Sequence, residues 1–305
     1  MSVSSVVETE AARPAAAASS TSPFYWSVRR EIWEYRSIYL APLIAAGLVV
    51  LGFFVRAAHL PALVRETENL PPVAQMLRLA VPFSITALAI TLTGLIVAFF
   101  YCLGALYNER RDRSILFWKS LPVSNTTTVL SKVFVALAVI PAVVFLVTLA
   151  TQLIMLLIGT AVLAANGVSA ATLWANWPFV KMAALFAYIL VVMILWYAPI
   201  AGWLLLVSAY ARSMAILWAV LPPLGLIIAE RIALDTSYVA DLVDYRLNGF
   251  MSLAFYYKKG MTLGDPLALA TPAHFFGSPG LWSGLAVAAA LIVAAIWLRR
   301  NREPI

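Results

Sequence analysis

Six long apolar runs constrain this chain more than any of its other features. They lie at about Ile38 to Val55, Val81 to Leu106, Val129 to Leu163, Phe179 to Ala209, Met214 to Ala229 and Leu281 to Leu298. Each is near or beyond the ~20 residues that a helix needs to cross a bilayer. Within hydrocarbon every backbone N–H and C=O must be paired inside its own segment, so runs of this length are expected to be helices. The rest of the chain gives no way out of that reading. Of 305 residues, 63% are hydrophobic and 11% are charged, with a mean hydropathy of +0.91. One soluble core cannot hold that much apolar surface. The expected fold class is an all-α membrane protein with six transmembrane helices. Pro141, Pro199 and the Pro222–Pro223 pair are expected to kink the helices that contain them.

The net charge of +7 and the pI near 9.6 would suit nucleic acid if the basic residues formed one stripe. They sit instead at the ends of the apolar runs, where Arg and Lys anchor spans to headgroups, so the partner they indicate is the lipid bilayer and no nucleic acid. Most of them fall on one side when both termini are placed in the cytoplasm. Arg29, Arg30, Arg110, Arg111, Arg113, Lys119, Lys132, Arg299 and Arg300 share that side, whereas the basic residues on the other are scattered over longer loops. The expected location is therefore a multi-pass inner membrane protein with both ends inside. Cys102 is the single cysteine and lies within an apolar run, which points to packing and excludes an intrachain disulfide.

Residues 1–22 are mostly small and polar and read as a disordered tail, with no basic region to open a secretory signal; residues 23–305 read as one domain. From Pro23 to Tyr39 aromatics alternate with charge. Phe24, Val28, Ile32 and Tyr35 share a helical face, with Arg29, Arg30 and Glu34 free to turn to headgroups, so an N-terminal interfacial elbow helix is expected. Between the fifth and sixth runs, Tyr238, Leu242, Tyr245 and Phe250 have helical spacing after Ser237, a candidate cap. Small outer helices are expected there, serving either as a lid packed on the helix tops or as a gate.

The densest charge cluster, Glu109-Arg110-Arg111-Asp112-Arg113, follows directly on the second run, and Ile115, Leu116, Phe117 and Trp118 come after it, before Pro122 stops any helix. An amphipathic helix set crosswise between two spans reads this way, its apolar residues free to enter a partner's groove. A topological anchor also collects Arg and Lys, so both readings stand on charge alone. The four consecutive bulky apolar residues favour docking.

Glu109 to Leu116, then Leu121-Pro122-Val123-Ser124, then Ser131-Lys132, resemble the cytoplasmic loop of the ABC-2 type transporter permeases. In that family a Glu opens the loop, a Ser or Thr precedes an aliphatic pair, a Leu-Leu-Pro-like turn follows, and a Lys begins the next span. Arg113 departs from the Gly found there in many members. The resemblance implies a cytoplasmic coupling helix between spans two and three that docks on a separate cytosolic ATP-binding-cassette ATPase. Its docking residues would be Glu109, Arg110, Asp112, Arg113, Ile115, Leu116, Phe117, Trp118 and Lys119. It also implies a second permease subunit, identical or different, and export as the direction of transport. The Gly280–Gly284 pair has GxxxG spacing, a weak signal in so Gly- and Ala-rich a chain.

The chemistry left out of the sequence fits that picture. No Gly-rich loop followed by Lys and Ser or Thr occurs, so ATP and Mg are expected on the partner and no cofactor in this chain. The two histidines, His59 and His274, lie far apart in outer loops, which leaves no metal-ligand spacing. The runs contain almost no ionisable residues at mid-depth, where a proton or ion relay would need them. The expected role is a permease subunit without enzymatic activity of its own. A membrane-embedded enzyme and a non-transporting sensor or assembly subunit are the alternatives.

Overall fold

The computed structural model describes residues 21–67, 69–112, 123–255 and 266–301. Among them the chain is helical throughout, with a single isolated bridge between Phe255 and Ala270 in place of any strand. In chain order the helices are α1 (Thr21–Glu34), α2 (Ser37–Ala57), α3 (Leu60–Thr67), α4 (Pro72–Ala105), α5 (Tyr107–Arg111), α6 (Asn125–Ala165), α7 (Ala171–Asn176), α8 (Phe179–Tyr210), α9 (Ala215–Leu234), α10 (Tyr238–Asn248), α11 (Phe250–Ala254), α12 (Pro272–Phe276) and α13 (Pro279–Asn301). Six of these, α2, α4, α6, α8, α9 and α13, are long and apolar enough to cross a membrane, in agreement with the six runs. The expected tail reached residue 22, but α1 already begins at Thr21; residues 1–20 lie outside the described part of the chain.

Apolar composition does not by itself bury a residue here, because a span can present Leu and Ile to lipid. Large apolar side chains such as Leu48, Leu51, Leu146 and Leu221 are accordingly more than half exposed on the outside of the bundle. The faces that do pack are rich in small residues. Gly202 of α8 meets the backbone of Ala288 in α13, where an added Cβ would come within 3.3 Å of the Ala288 carbonyl. Gly94 of α4 sits so close to Val144 of α6 that a Cβ would collide with it. Close backbone approach of this kind is how spans gain dispersion contacts when no hydrophobic force drives them together. The fifth span is the exception, with Ala215 and Ala219 its only buried residues.

Proline acts on α6 through a change of helix type. Pro141 has no N–H and its ring crowds the carbonyl four residues back, at Leu137. The turn that contains Leu137, Val135–Val139, is wound as a π-helix, whose extra residue absorbs the clash. Pro199, Pro222 and Pro223 lie inside helices that continue past them.

The segment before the last span folds as small helices, as their spacing indicates, but Ser237 does not cap α10. Its hydroxyl bonds Asp241 instead. The carboxylate of Glu230, at the end of α9, accepts the N–H groups of Tyr238 and Val239, both at 2.7 Å. An anion is favoured at a helix N-terminus for the same reason a capping side chain is, since the first amides have no partner within the helix. Three aromatic residues of α8 tie this segment down by their polar tips. Trp196, Tyr197 and Tyr188 donate to the carbonyls of Arg246, Leu247 and Ala254. The glycines of the GxxxG pair accommodate α10. A Cβ at Gly280 would strike the Tyr245 hydroxyl and one at Gly284 the Arg246 guanidinium, so within this chain their smallness is already used.

Replacing Glu230 with Ala leaves the first amides of α10 without their acceptor. Hydrogen exchange at Tyr238 and Val239 should accelerate at least tenfold while the amides of α8 keep their protection. Unchanged exchange at those two positions would show that another group caps the helix.

Candidate functional site

The side chains with the most consequence for function meet where α1, the end of α4, α5, the start of α6 and the end of α13 converge. α1 brings them together because its apolar stripe, Phe24, Val28 and Tyr35 at helical spacing, also contains Glu31. Phe24 packs edge-on against Phe134 of α6 at 5.6 Å, and this contact turns Glu31 inward with the stripe. The facing surface of α6 is polar. After Ser124, whose hydroxyl accepts the Thr127 N–H as an N-cap, Thr128, Ser131 and Lys132 are all buried on one side.

Two carboxylates and three cations occupy the junction. Glu31 has no exposed surface, Lys132 is 1% exposed, and Glu109 and Arg299 are 4% exposed. Lys132 Nζ lies 2.8 Å from Glu31 Oε1 and 3.0 Å from Glu109 Oε1. Arg30 Nη2 bridges the same two carboxylates at 2.6 and 2.9 Å. Arg299, from the last turn of α13, donates to Glu109 Oε2 at 2.6 Å. The Tyr101 hydroxyl donates to Glu31 Oε2 at 2.9 Å. Each carboxylate therefore has partners from several segments that are far apart in the chain. Buried ions need this degree of pairing, because their desolvation is recovered only when hydrogen bonds satisfy the remaining lone pairs.

Neutral contacts extend the junction to the fourth span. The Ser208 hydroxyl accepts the N–H groups of Leu106 and Tyr107 and donates to the Leu103 carbonyl, holding the turn between α4 and α5. The Arg110 guanidinium donates to the carbonyls of Ala209 and Ala211, which are left free where α8 ends. At the rim, Glu34 lies 3.8 Å from Arg30 Nε. Burial and the neighbouring Glu31 carboxylate nevertheless push its pKa up. Burial and Glu31 also raise that of Tyr35, which stacks edge-on against Tyr101 at 4.9 Å.

These positions correct several expectations. Glu109 and Arg110, expected on the docking surface, face inward and are almost fully buried. Arg30, Lys132 and Arg299, expected as headgroup anchors, are also drawn into the junction by the two carboxylates. Asp112 is exposed and pairs with Arg111 at 3.1 Å. Arg113, Ile115, Leu116, Phe117, Trp118 and Lys119 lie outside the described residues. His59 and His274 are exposed and belong to different segments. Glu31 was not singled out from the sequence. Its signal was a lone acid on the apolar face of α1, three residues after Val28 and four before Tyr35.

Removing one member of a buried ionic set costs about 3–5 kcal/mol, since the others stay buried without their partner. Lys132→Met should lower the unfolding temperature in detergent markedly. The double variant Glu31→Gln/Lys132→Met should lose less than the two single losses added together, with a coupling of about 0.5–3 kcal/mol; strict additivity would contradict direct pairing. Glu34→Gln should behave in the opposite way. A carboxyl whose pKa is raised on folding favours the fold below its unfolded pKa and ceases to as pH rises through the folded value. At neutral pH the variant should equal or exceed the parent in unfolding temperature, and near pH 4 that advantage should vanish. No family model, curated protein or solved structure matches the chain, so the loop from Tyr107 to Lys132 carries its resemblance on its own residues.

Proposed function

We propose that this chain is the membrane-spanning permease subunit of an ATP-binding-cassette transporter, an exporter driven by a separate cytosolic ATPase and working as a pair of permease subunits. One observation supports this above the rest. In sequence, the stretch around Asn108 to Lys119 that resembles a coupling helix includes Glu109 and is followed by Lys132 in the next span, and these two residues are bonded into the same buried ionic junction. A force applied to that stretch would act on α1, on the ends of α4 and α13 and on the start of α6 together. Such a linkage suits a lever and would be superfluous in a plain topological anchor. The six candidate spans fit a membrane domain, and in this reading the energy source, with its phosphate-binding loop, is on another polypeptide.

In this reading α1 is the interfacial elbow, the stretch around Asn108 to Lys119 acts as the coupling helix, and ATP and Mg act on the partner. ATP binding closes the ATPase pair and displaces the docked helices. The ionic junction passes that displacement to the spans, which repack toward an outward-open state, and hydrolysis resets them. Six spans would put both termini on one side, and the excess of Arg and Lys there supports reading that side as the cytoplasm of a bacterial inner membrane.

The docking surface is tested by Phe117→Asp in membranes that also contain the ATPase. Truncating a buried anchor costs about 2 kcal/mol or more, equivalent to ~30-fold in Kd. The variant should insert normally, fail to co-purify with the ATPase and leave its ATP turnover unstimulated. Normal association would reject docking through this loop. For topology, a cysteine placed beyond either terminus, in a Cys102→Ala background, should react with an impermeant maleimide only after the inner face is opened. Labelling of intact cells would reverse the orientation.

A further inference from the structure

About one helical turn from the ionic junction, α4, α6 and α8, with Leu247 of α10, line a cavity of about 310 Å³, within the ~300–1,000 Å³ typical of small-molecule sites. Its floor is formed by Cys102, Ala136 and Leu204, all buried. Its side includes the π-turn of α6, and such a turn inside a helix frequently accompanies a functional site. None of the lining side chains carries a charge. Their polar atoms are the hydroxyls of Thr91 and Tyr197 and the thiol of Cys102, and the Tyr197 hydroxyl is already bonded to the Leu247 carbonyl. Water held in a cavity needs 2–4 polar partners per molecule, and these walls do not provide them. The cavity is partly open, and two of its lining residues, Leu95 of α4 and Leu247 of α10, are 38% and 48% exposed.

We propose that this cavity is a binding site for a single alkyl chain of an amphiphile, which enters sideways from the bilayer. The chemistry of the walls selects the occupant. Charged and strongly polar solutes would lose hydration without gaining hydrogen bonds. An alkyl chain loses nothing of that kind and gains contact with a close-fitting wall in exchange for loose packing among lipid tails. Placement gives the site its use. Tyr101, bonded to Glu31, immediately precedes Cys102 on the cavity floor, and Ala136 follows Lys132 by one helical turn. Displacement of the junction would therefore change the shape of the cavity. That the amphiphile is the transported cargo rests on the permease reading above; that the site binds an alkyl chain does not.

The site is tested without any ATPase. The full chain is placed in dioleoylphosphatidylcholine nanodiscs containing a small fraction of a phosphatidylcholine with a diazirine in one acyl chain, then irradiated, and adducts are mapped by mass spectrometry. Adducts are expected at Met193 and Leu204 of the cavity as well as at lipid-facing Leu48. Ala201→Phe, which fills the cavity from α8, should reduce the cavity adducts at least tenfold and leave those at Leu48 unchanged. Leu137→Trp fills it from α6 and should do the same if the first variant fails to fold. Cavity adducts that are absent in the parent, that persist in the folded filled variants, or that are replaced by crosslinks between two copies of the chain would overturn the proposal. If adducts form as expected but Phe117→Asp still binds the ATPase, the alkyl site stands and the docking reading fails.

Discussion

Glu109 is the residue on which this end of the bundle depends. Its two oxygens are shared among Lys132, Arg30 and Arg299, so one carboxylate joins the N-terminal helix to the spans that begin at Asn125 and Pro279. Glu31 repeats the arrangement from α1, with Tyr101 added. Neither carboxylate can be withdrawn alone, since its loss removes a counter-charge from Lys132, 1% exposed, and in the case of Glu109 also from Arg299, 4% exposed. Such a set contributes less to net stability than to uniqueness. Apolar faces in a membrane can slide past one another at little cost, because lipid solvates them as well as neighbouring helices do. A set of ions that must all be paired permits one register.

That constraint bears on what the loop between the second and third spans can do. A loop attached through apolar contacts alone could move without disturbing the spans. Here Glu109 before it and Lys132 in the helix after it share one ionic junction, and the Arg110 guanidinium and the Ser208 hydroxyl add the C-terminal end of the fourth span. The helices at the loop thus respond together. The apolar cavity begins within one helical turn of this junction, at Ala136, four residues after Lys132.

Much of the architecture was legible in the sequence and the candidate site largely was not. Run length alone located all six spans, because the bilayer sets a hard requirement that composition either meets or fails. The fourth span matched to within a residue at its C-terminal end, whereas the second begins nine residues earlier than its apolar run, at Pro72, since the proline sits at the first helical turn, where its missing N–H costs nothing. Charge was the poor guide. Arg30, Lys132 and Arg299 read as anchors because anchoring is the common fate of basic residues at span ends, and pairing depends on which helices converge in space. Glu31 is 101 positions from Lys132, and Arg299 is 190 from Glu109. Ser237 likewise matched a capping pattern while Glu230, seven residues before it on another helix, provides the cap.

The most direct test of the ionic junction as the tie between these segments is hydrogen exchange on Glu109→Gln in nanodiscs. If the carboxylate couples them, amides in Thr21–Glu34 and in the last turn of Pro279–Asn301 should lose protection together, although neither segment adjoins residue 109 in the chain. Loss confined to Tyr107–Arg111, with both distant segments as protected as in the parent, would contradict the account.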